Sequence, residues 1–402
     1  MELPKSNGLS AGPAQTRAPG ALRRPPSSTR LGAGCDGGDR SAPRENRGVF
    51  LAKARFTTLR RSLLRWYDRN KRDLPWRRTR DPYALWIAET MLQQTQIRTV
   101  LPYYRSFLKA FPSLRALERA PLEKVLALWA GLGYYRRAEN LKRAARVIAR
   151  DFGGTMPRAF ETLRALPGVG DYTAGALASI AFGQRYPALD GNARRVLQRL
   201  FQTRTSAELN ELAKRFVPQA RPGDFNQALM DLGAQICLPR DPKCNACPWR
   251  RPCAARRSGR YELRRRPPAN SEAVIWPLLV ILDSGKILLR RRAGGGLLAG
   301  LWEVPGGRKL PGEKARETLR RELGSMGRFF GKLRPAGEVR HSITRYRIRA
   351  PVFVSAAWRP RLNGGTGWRW VPLASLGRYP LSSLSMKAAR LASRTQRAVD
   401  PV

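Results

Sequence analysis

Apolar residues recur every three to four positions along most of the stretch from Phe50 to Arg257, the period of helices that bury one face. This pattern predicts helices over Leu59–Tyr67, Pro82–Gln93, Tyr103–Phe111, Pro121–Trp129, Arg136–Asp151, Ala159–Leu166, Tyr172–Ala181, Ala193–Phe201, Ala207–Val217 and Asn226–Ile236. Asp81-Pro82 is a helix start, an Asx cap followed by proline in the first turn. Further on the period changes. Val274–Leu282 and Lys286–Arg291 read as strands flanking Asp283-Ser284-Gly285, a hairpin signal. Tyr346–Ser355 and Trp368–Val371 also read as strands, and Glu313–Leu323 and Leu384–Leu391 as helices. The chain therefore divides into a leader (1–49), an all-helical domain (50–257), an Arg- and Pro-rich linker (258–271), an α+β domain (272–393) and a tail (394–402). The leader is rich in Pro, Gly, Ser, Ala and Arg and reads as a disordered basic segment; a transit peptide is the alternative, weakened by its acidic residues.

Composition narrows the function. Lys and Arg number 76 against 29 Asp and Glu, a formal net charge of +47, so a polyanion, nucleic acid first, is the expected partner. No apolar run approaches the ~20 residues that span a bilayer, and the first fifty residues hold no apolar signal core. The expected location is a bacterial cytoplasm, or a nucleus or mitochondrion in a eukaryote, with no membrane partner. His341 is the single histidine. Zinc sites needing several imidazoles are thereby excluded, as are His-centred triads unless His341 is itself the base. Catalysis must run on carboxylates, amides, hydroxyls or a cofactor.

Four of the five cysteines are spaced Cys237-x6-Cys244-x2-Cys247-x5-Cys253. Four thiols this close are a ligand set for an iron–sulfur cluster or a structural Zn²⁺. The asymmetric spacing, with one CxxC rather than two, favours the cluster, and two disulfides are a distant third. Cys35 in the leader is a bystander. Upstream, Leu166-Pro167-Gly168-Val169-Gly170 lies between two predicted helices, where glycines let backbone N–H groups approach a phosphate. Ala130-Gly131-Leu132-Gly133-Tyr134-Tyr135 sets paired aromatics beside glycines, which is either ordinary packing or a wedge that enters stacked bases. Cysteine loop and hairpin, in this order, resemble the endonuclease III superfamily of DNA glycosylases.

Two carboxylates are candidates for chemistry. Glu89 borders an apolar stripe containing Leu85, Trp86 and Leu92, so desolvation would raise its pKa toward that of a general acid; a Glu snorkelling from a helix shoulder fits the periodicity equally. Asp190, in Leu189-Asp190-Gly191-Asn192, precedes a helix and taken alone reads as a cap. With Tyr172 where bifunctional superfamily members carry a Schiff-base lysine, the set resembles the MutY-type adenine DNA glycosylases. That resemblance implies catalytic roles for Glu89, Asp190, Tyr172 and Asn192, with hydrolysis in place of a covalent imine. It implies DNA contacts by Gln93, Gln94, Leu132, Tyr134, Gly168 and Gly170, with Gln94 and Tyr134 entering the duplex. It further implies an adenine pocket at Trp76 and Arg77, near Asn226-Gln227-Ala228, and a [4Fe-4S] cluster on Cys237, Cys244, Cys247 and Cys253.

In the α+β half, Gly294–Pro305 followed by Gly306-Gly307 resembles the start of a Nudix domain. Gly307, Glu313, Arg321, Glu322 and Leu323 fit the Nudix box, but its acidic pair falls on Ser325 and Met326, which implies a reader of shape rather than a pyrophosphohydrolase. In the MutY-type family this domain recognises 8-oxoguanine. Arg340–Arg345 is the counterpart of the recognition loop, and Ser342, Thr344 and Arg345 are its candidate contacts. The expected fold is thus a helix-hairpin-helix glycosylase domain with an iron–sulfur loop, followed by an α+β Nudix-like domain. The expected partner is duplex DNA with adenine opposite 8-oxoguanine or guanine, bound by a monomer. A pyrimidine-specific lyase and a non-catalytic iron–sulfur DNA-binding module are the rivals.

Overall fold

The structure, a computed structural model, describes residues 44–261, 271–292, 298, 300–324, 326–329, 332–343, 345–355, 358–360 and 367–399. Cys35, linker residues 262–270, Ser325 and Thr344 lie outside the described residues. The helical part begins with α1 (Arg44–Asn70), α2 (Pro82–Leu92), α3 (Ile97–Ala110), α4 (Leu114–Arg119), α5 (Leu122–Trp129) and α6 (Arg136–Asp151). It continues with α7 (Phe160–Ala165), α8 (Asp171–Ala176), α9 (Gly191–Phe201), α10 (Ser206–Phe216), α11 (Pro222–Gln235) and α12 (Ala254–Ser258).

α2 is apolar nearly all round and is buried from Tyr83 to Met91, as befits a helix at the centre of a core. Asp81 starts it as expected, its carboxylate accepting the Tyr83 and Ala84 N–H groups at 3.0 and 3.3 Å. Around α2 pack α3, α5, α6 and the hairpin helices, with Phe107, Trp129, Leu141 and Leu163 in one cluster. A second cluster joins Leu59 and Leu63 of α1 to Val196 and Leu200 of α9, Phe216 of α10 and Phe225 of α11. α8 gives way at Leu177 to one wider π-type turn that runs to Ala181.

The second part comprises β1 (Glu272–Ile275), β2 (Leu278–Asp283), β3 (Lys286–Arg291), β4 (Trp302–Glu303), α13 (Ala315–Gly324), β5 (Gly327–Phe329), β6 (Arg334–Ile343), β7 (Tyr346–Ser355), β8 (Trp358–Pro360), β9 (Trp368–Pro372) and α14 (Ser383–Val399). Its mixed sheet runs β1-β7-β2-β3-β4, with β6 added on β7 and β9 on β3. Strand alternation sends Leu279 and Ile281 against Leu319 and Leu323 of α13, while Val280 and Leu282 face Ala388, Ala389 and Ala392 of α14. A helix thus covers each face. The β2–β3 turn is the two-residue loop the sequence signals, with Ser284 at φ 45° and Gly285 at φ 72°.

Several boundaries differ from expectation. Val274–Leu282 is two strands, because Pro277 cannot donate to the ladder and the chain steps at that point. β6 was not predicted, since Pro335, Gly337 and interspersed charges mask its alternation. α1 starts at Arg44, inside the segment assigned to the leader, and α14 runs past residue 393 into the assigned tail. In both places the helix runs on past the apolar pattern that marks its core-facing turns. Among the described residues no helix is long and apolar enough to cross a membrane.

Candidate active site

The hairpin, the end of α2, the start of α9 and one face of α11 enclose a cleft of about 990 Å³. Glu89, Tyr172, Asp190, Asn192, Trp76, Arg77, Gln93, Gln94, Gly168 and Gly170 all line it. Residues separated by more than a hundred positions therefore meet in one place.

Glu89 is 4% exposed. Burial pushes its carboxyl up to about 7, and the nearby Asp190 carboxylate adds to the rise. Two groups oppose it: the Tyr172 hydroxyl, which donates to Glu89 Oε2 at 2.5 Å, and the Arg77 guanidinium. The Tyr172 phenol is itself held well above its ordinary value by burial and the two carboxylates, so it stays a neutral donor. Asp190 is both a cap and a member of the cleft. Its Oδ1 accepts the Ala193 N–H at 2.6 Å and its Oδ2 the Asn192 amide at 3.0 Å. Burial raises its pKa, and these hydrogen bonds restrain the rise.

Behind the carboxylates lies a buried ion pair that the sequence did not announce. Arg77 donates to both oxygens of Asp231, at 2.5 and 2.8 Å, and Arg72 Nε donates to Oδ1 at 2.7 Å. The Asp231 side chain is fully buried, and two guanidinium groups meet its charge there. Arg77 also lies over the Tyr67 ring at 5.6 Å, and the Tyr67 hydroxyl donates to Gln227 Oε1 at 2.9 Å. Trp76 is buried edge-on against Tyr104 at 5.2 Å. Gln227 and Met230 line the cleft. Asn226 instead braces the segment leading to Asp190, through Ser179 Oγ and Tyr186 O at 2.8 Å each and the Ala188 N–H at 3.1 Å. The only sequence signal for Asp231 is its place on α11, one turn beyond Gln227.

On the rim, Gln94 is exposed and sits at φ 57°; Tyr134 is 48% exposed at φ 50°. Gln93 is turned inward, its amide donating to Thr173 Oγ1 at 3.2 Å. Leu132 departs from the expectation of a DNA contact: it is 5% exposed and packs in the helical core. Gly168 has φ 78°, and a Cβ there would lie 2.6 Å from Asn140 Cβ, so glycine is required by conformation and by space. Gly170 caps α8 with open space before it, leaving its backbone approachable.

The four cysteines are free thiols lining one small cavity with Arg199, Arg250, Arg256 and Tyr261. Burial and the neighbouring sulfurs push the Cys247 thiol up to about 12; burial also raises Cys237, against the pull of Arg199. Trp249 fastens the loop to α1, its indole donating to Leu59 O at 3.0 Å. Arg195 joins loop to catalytic segment: it donates to Cys237 O, Gly233 O and Asn192 Oδ1, all at 2.8 Å. Among the described residues no three His, Cys, Asp or Glu side chains group closely enough to hold a single ion.

In the second part Glu313 accepts from Arg321 Nε at 2.6 Å and from Thr318 Oγ1 at 2.9 Å. Arg321 holds the Glu313 carboxyl down at about 2 and also donates to Glu322 at 2.5 Å. Met326 packs with Leu319 and Phe353 where the Nudix box places an acid. Ser342 and Arg345 are exposed at the end of the β6–β7 hairpin, away from the cleft lining, with Arg345 over the Tyr346 ring at 5.2 Å.

These features define a base-excision DNA glycosylase with an appended Nudix domain. Residues 87–219 match the family described as HhH-GPD superfamily base excision DNA repair protein, and residues 277–391 match the NUDIX domain. The chain is 37% identical to the human adenine DNA glycosylase, over 85% of this chain and 75% of that protein, and 36% identical to the mouse enzyme, over 85% and 79%. A solved thermostable thymine-DNA glycosylase aligns with 52% of this chain and 99% of its own, at 34% identity and a TM-score of 0.49. The chain belongs to the adenine DNA glycosylase family.

Proposed function

We propose that the protein removes adenine mispaired with 8-oxoguanine or guanine by simple hydrolysis. The observation that carries this reading is the 2.5 Å hydrogen bond between Tyr172 and a buried Glu89 whose carboxyl is raised to about 7. An acid poised near neutrality can give its proton to a ring nitrogen of the leaving adenine. As the C1′–N9 bond breaks, positive charge grows on the sugar, and the Asp190 carboxylate stabilises it. The Glu89 carboxylate then takes a proton from the water that attacks C1′, which closes the cycle. Tyr172 holds Glu89 and offers no amine, so no imine forms and the strand stays intact. Trp76, Arg77 and Gln227 surround the flipped base, while Gln94 and Tyr134 fill the duplex it leaves. The test is an assay of base release and strand scission, scored separately, on duplexes with A opposite 8-oxoguanine, A opposite guanine, or an oxidised pyrimidine. Adenine release without scission is expected; scission without alkali would overturn the hydrolytic reading.

The exposed β6–β7 hairpin supports a reading of the opposite base by Ser342 and Arg345, with Thr344 beside them. Ser342→Ala and Arg345→Ala are expected to narrow the rate advantage of the 8-oxoguanine pair over the guanine pair. An unchanged ratio in both variants would remove the hairpin from recognition. For the cofactor, four unpaired cysteines on one small cavity, in the asymmetric spacing with a single CxxC, support a [4Fe-4S] cluster on Cys237, Cys244, Cys247 and Cys253. When bound it would cross-link the loop from Cys237 to Cys253 and hold it beside α9. Analysis for iron and acid-labile sulfide distinguishes it from zinc.

A further inference from the structure

Arg137, in the first turn of α6, is one of six Lys or Arg residues on that helix, yet it is only 8% exposed. Its Nη1 donates to the carbonyls of Thr90, Met91 and Gln93 at 2.9, 2.8 and 2.6 Å, closing the negative end of α2 just before Gln94. Its Nη2 donates to Gly133 O at 3.1 Å and Thr95 Oγ1 at 3.2 Å. The guanidinium lies 5.3 Å from the Tyr134 ring centroid and 5.4 Å from that of Trp129. Burial draws its pKa down to about 10, so it remains a cation at neutral pH. Its charge is met by carbonyl dipoles and ring faces rather than by a carboxylate, and among the described residues its Nε has no partner. One planar fork therefore bridges two loops that approach from different helices. Each loop presents an exposed side chain on a left-handed backbone, Gln94 at φ 57° and Tyr134 at φ 50°.

We infer that Arg137 is a positioning residue that locks Gln94 and Tyr134 into one rigid jaw, so that both enter the duplex at a fixed separation and extrude the adenine together. This rests on the reading of Gln94 and Tyr134 as the groups that enter the duplex. Conformations so uncommon for Gln and Tyr persist only where surroundings over-determine them, and Arg137 supplies that restraint at both loops. A lysine keeps the charge at the end of α2 but cannot span both loops, because its ammonium is a point donor and not a flat fork.

The test uses the full-length, cluster-loaded protein in single-turnover excision at saturating enzyme. It is paired with stopped-flow fluorescence of 2-aminopurine in the adenine position, which reports unstacking directly. Arg137→Lys is expected to slow unstacking and excision together by about tenfold or more, with cluster absorption and nonspecific duplex affinity retained. Tyr134→Ala should slow the same step, and adding Arg137→Lys to it should have little further effect, because both act through one element. Thr95→Val, which removes one arm of the bridge, should give a smaller defect in that step, and it carries the test if Arg137→Lys does not fold. Normal unstacking in Arg137→Lys and Thr95→Val, or defects that add to that of Tyr134→Ala, overturn the positioning role alone. Normal unstacking in both Tyr134→Ala and Gln94→Ala overturns the reading of the jaw itself, and the role of Arg137 falls with it.

Discussion

At the scale of single residues, the site depends on burial shifting one carboxyl while hydrogen bonds steady another. Glu89 and Asp190 share a cleft, but Asp190 receives the Ala193 N–H and the Asn192 amide, whereas Glu89 receives only a phenol. The proton therefore belongs on Glu89. This has a stability cost whose sign follows from linkage. The folded-state pKa of Glu89, about 7, lies above the unfolded value of 4.5, so the folded protein binds more protons between those limits. The associated stability is present in full below about pH 4.5 and lost as pH rises to about 7, on the order of 3 kcal/mol. Glu89→Gln mimics the protonated form at every pH. It is expected to melt at a higher temperature than the parent at pH 8 and to lose that advantage near pH 4.5, while binding mispaired duplex and releasing no adenine. Thermal melts at the two pH values and a single-turnover assay check it; retained excision would remove Glu89 as the acid. In the parent, excision should decline as pH rises past about 7, as the acid loses its proton.

At the scale of elements, the parts legible in the sequence are those whose chemistry is local. Periodicity places α2 and α6 within a residue or so, and the cysteine spacing marks its loop, because short-range pattern determines both. Glu89, Asp190 and Tyr172 could be named as candidates, but only the packing of α2, α8 and α9 shows that they line one cleft. What stayed hidden arises from long-range pairing. Asp231 meets Arg77 across 154 positions, and an Asp on a helix gives no sign of two arginines waiting for it. Arg137 is concealed among other basic residues of α6, where solvation is the ordinary reading. Arg199 was missed for the same reason. It is 5% exposed and donates to Leu238 O at 2.6 Å, Pro239 O at 2.9 Å, Tyr261 O at 3.1 Å and Cys237 Sγ at 3.5 Å. It thus ties the chain just after Cys237 to the chain beyond Cys253. Arg199→Ala leaves several carbonyls unpaired, which should cost about 3 kcal/mol and loosen the loop. For the proposed cluster, faster loss of its visible absorption under chelator is the expected outcome; a rate equal to the parent's would assign Arg199 to packing only.

At the scale of the whole molecule, charge and specificity separate. The excess of +47 predicts duplex affinity that falls steeply with salt, whatever the sequence bound. On the proposed reading, discrimination rests on the β6–β7 hairpin, and a contact between the two folded parts runs beside Tyr134. Tyr135, next to Tyr134, is 6% exposed. Its hydroxyl donates to Leu381 O of the Nudix part at 2.9 Å and accepts the Gly131 N–H at 3.2 Å. Nearby, the Trp302 indole donates to Glu123 of α5 at 2.9 Å, and Leu301 is buried in the helical core. The part that bears the β6–β7 hairpin is thereby tied to the loop that bears Tyr134. Tyr135→Phe keeps the ring and removes both hydrogen bonds, leaving the Leu381 carbonyl buried without its donor, at a cost of about 1–3 kcal/mol borne by the joint. Chemistry in the cleft lies elsewhere, so excision of adenine opposite guanine should change little. On the proposed reading of the opposite base by the β6–β7 hairpin, the advantage of the 8-oxoguanine pair should shrink, because that reading has both parts engage one duplex at once. Single-turnover rates on the two pairs, read beside hydrogen exchange over β4 and residues 381–385, decide the matter. Faster exchange with an unchanged rate ratio would mean that the joint stabilises the fold without transmitting recognition.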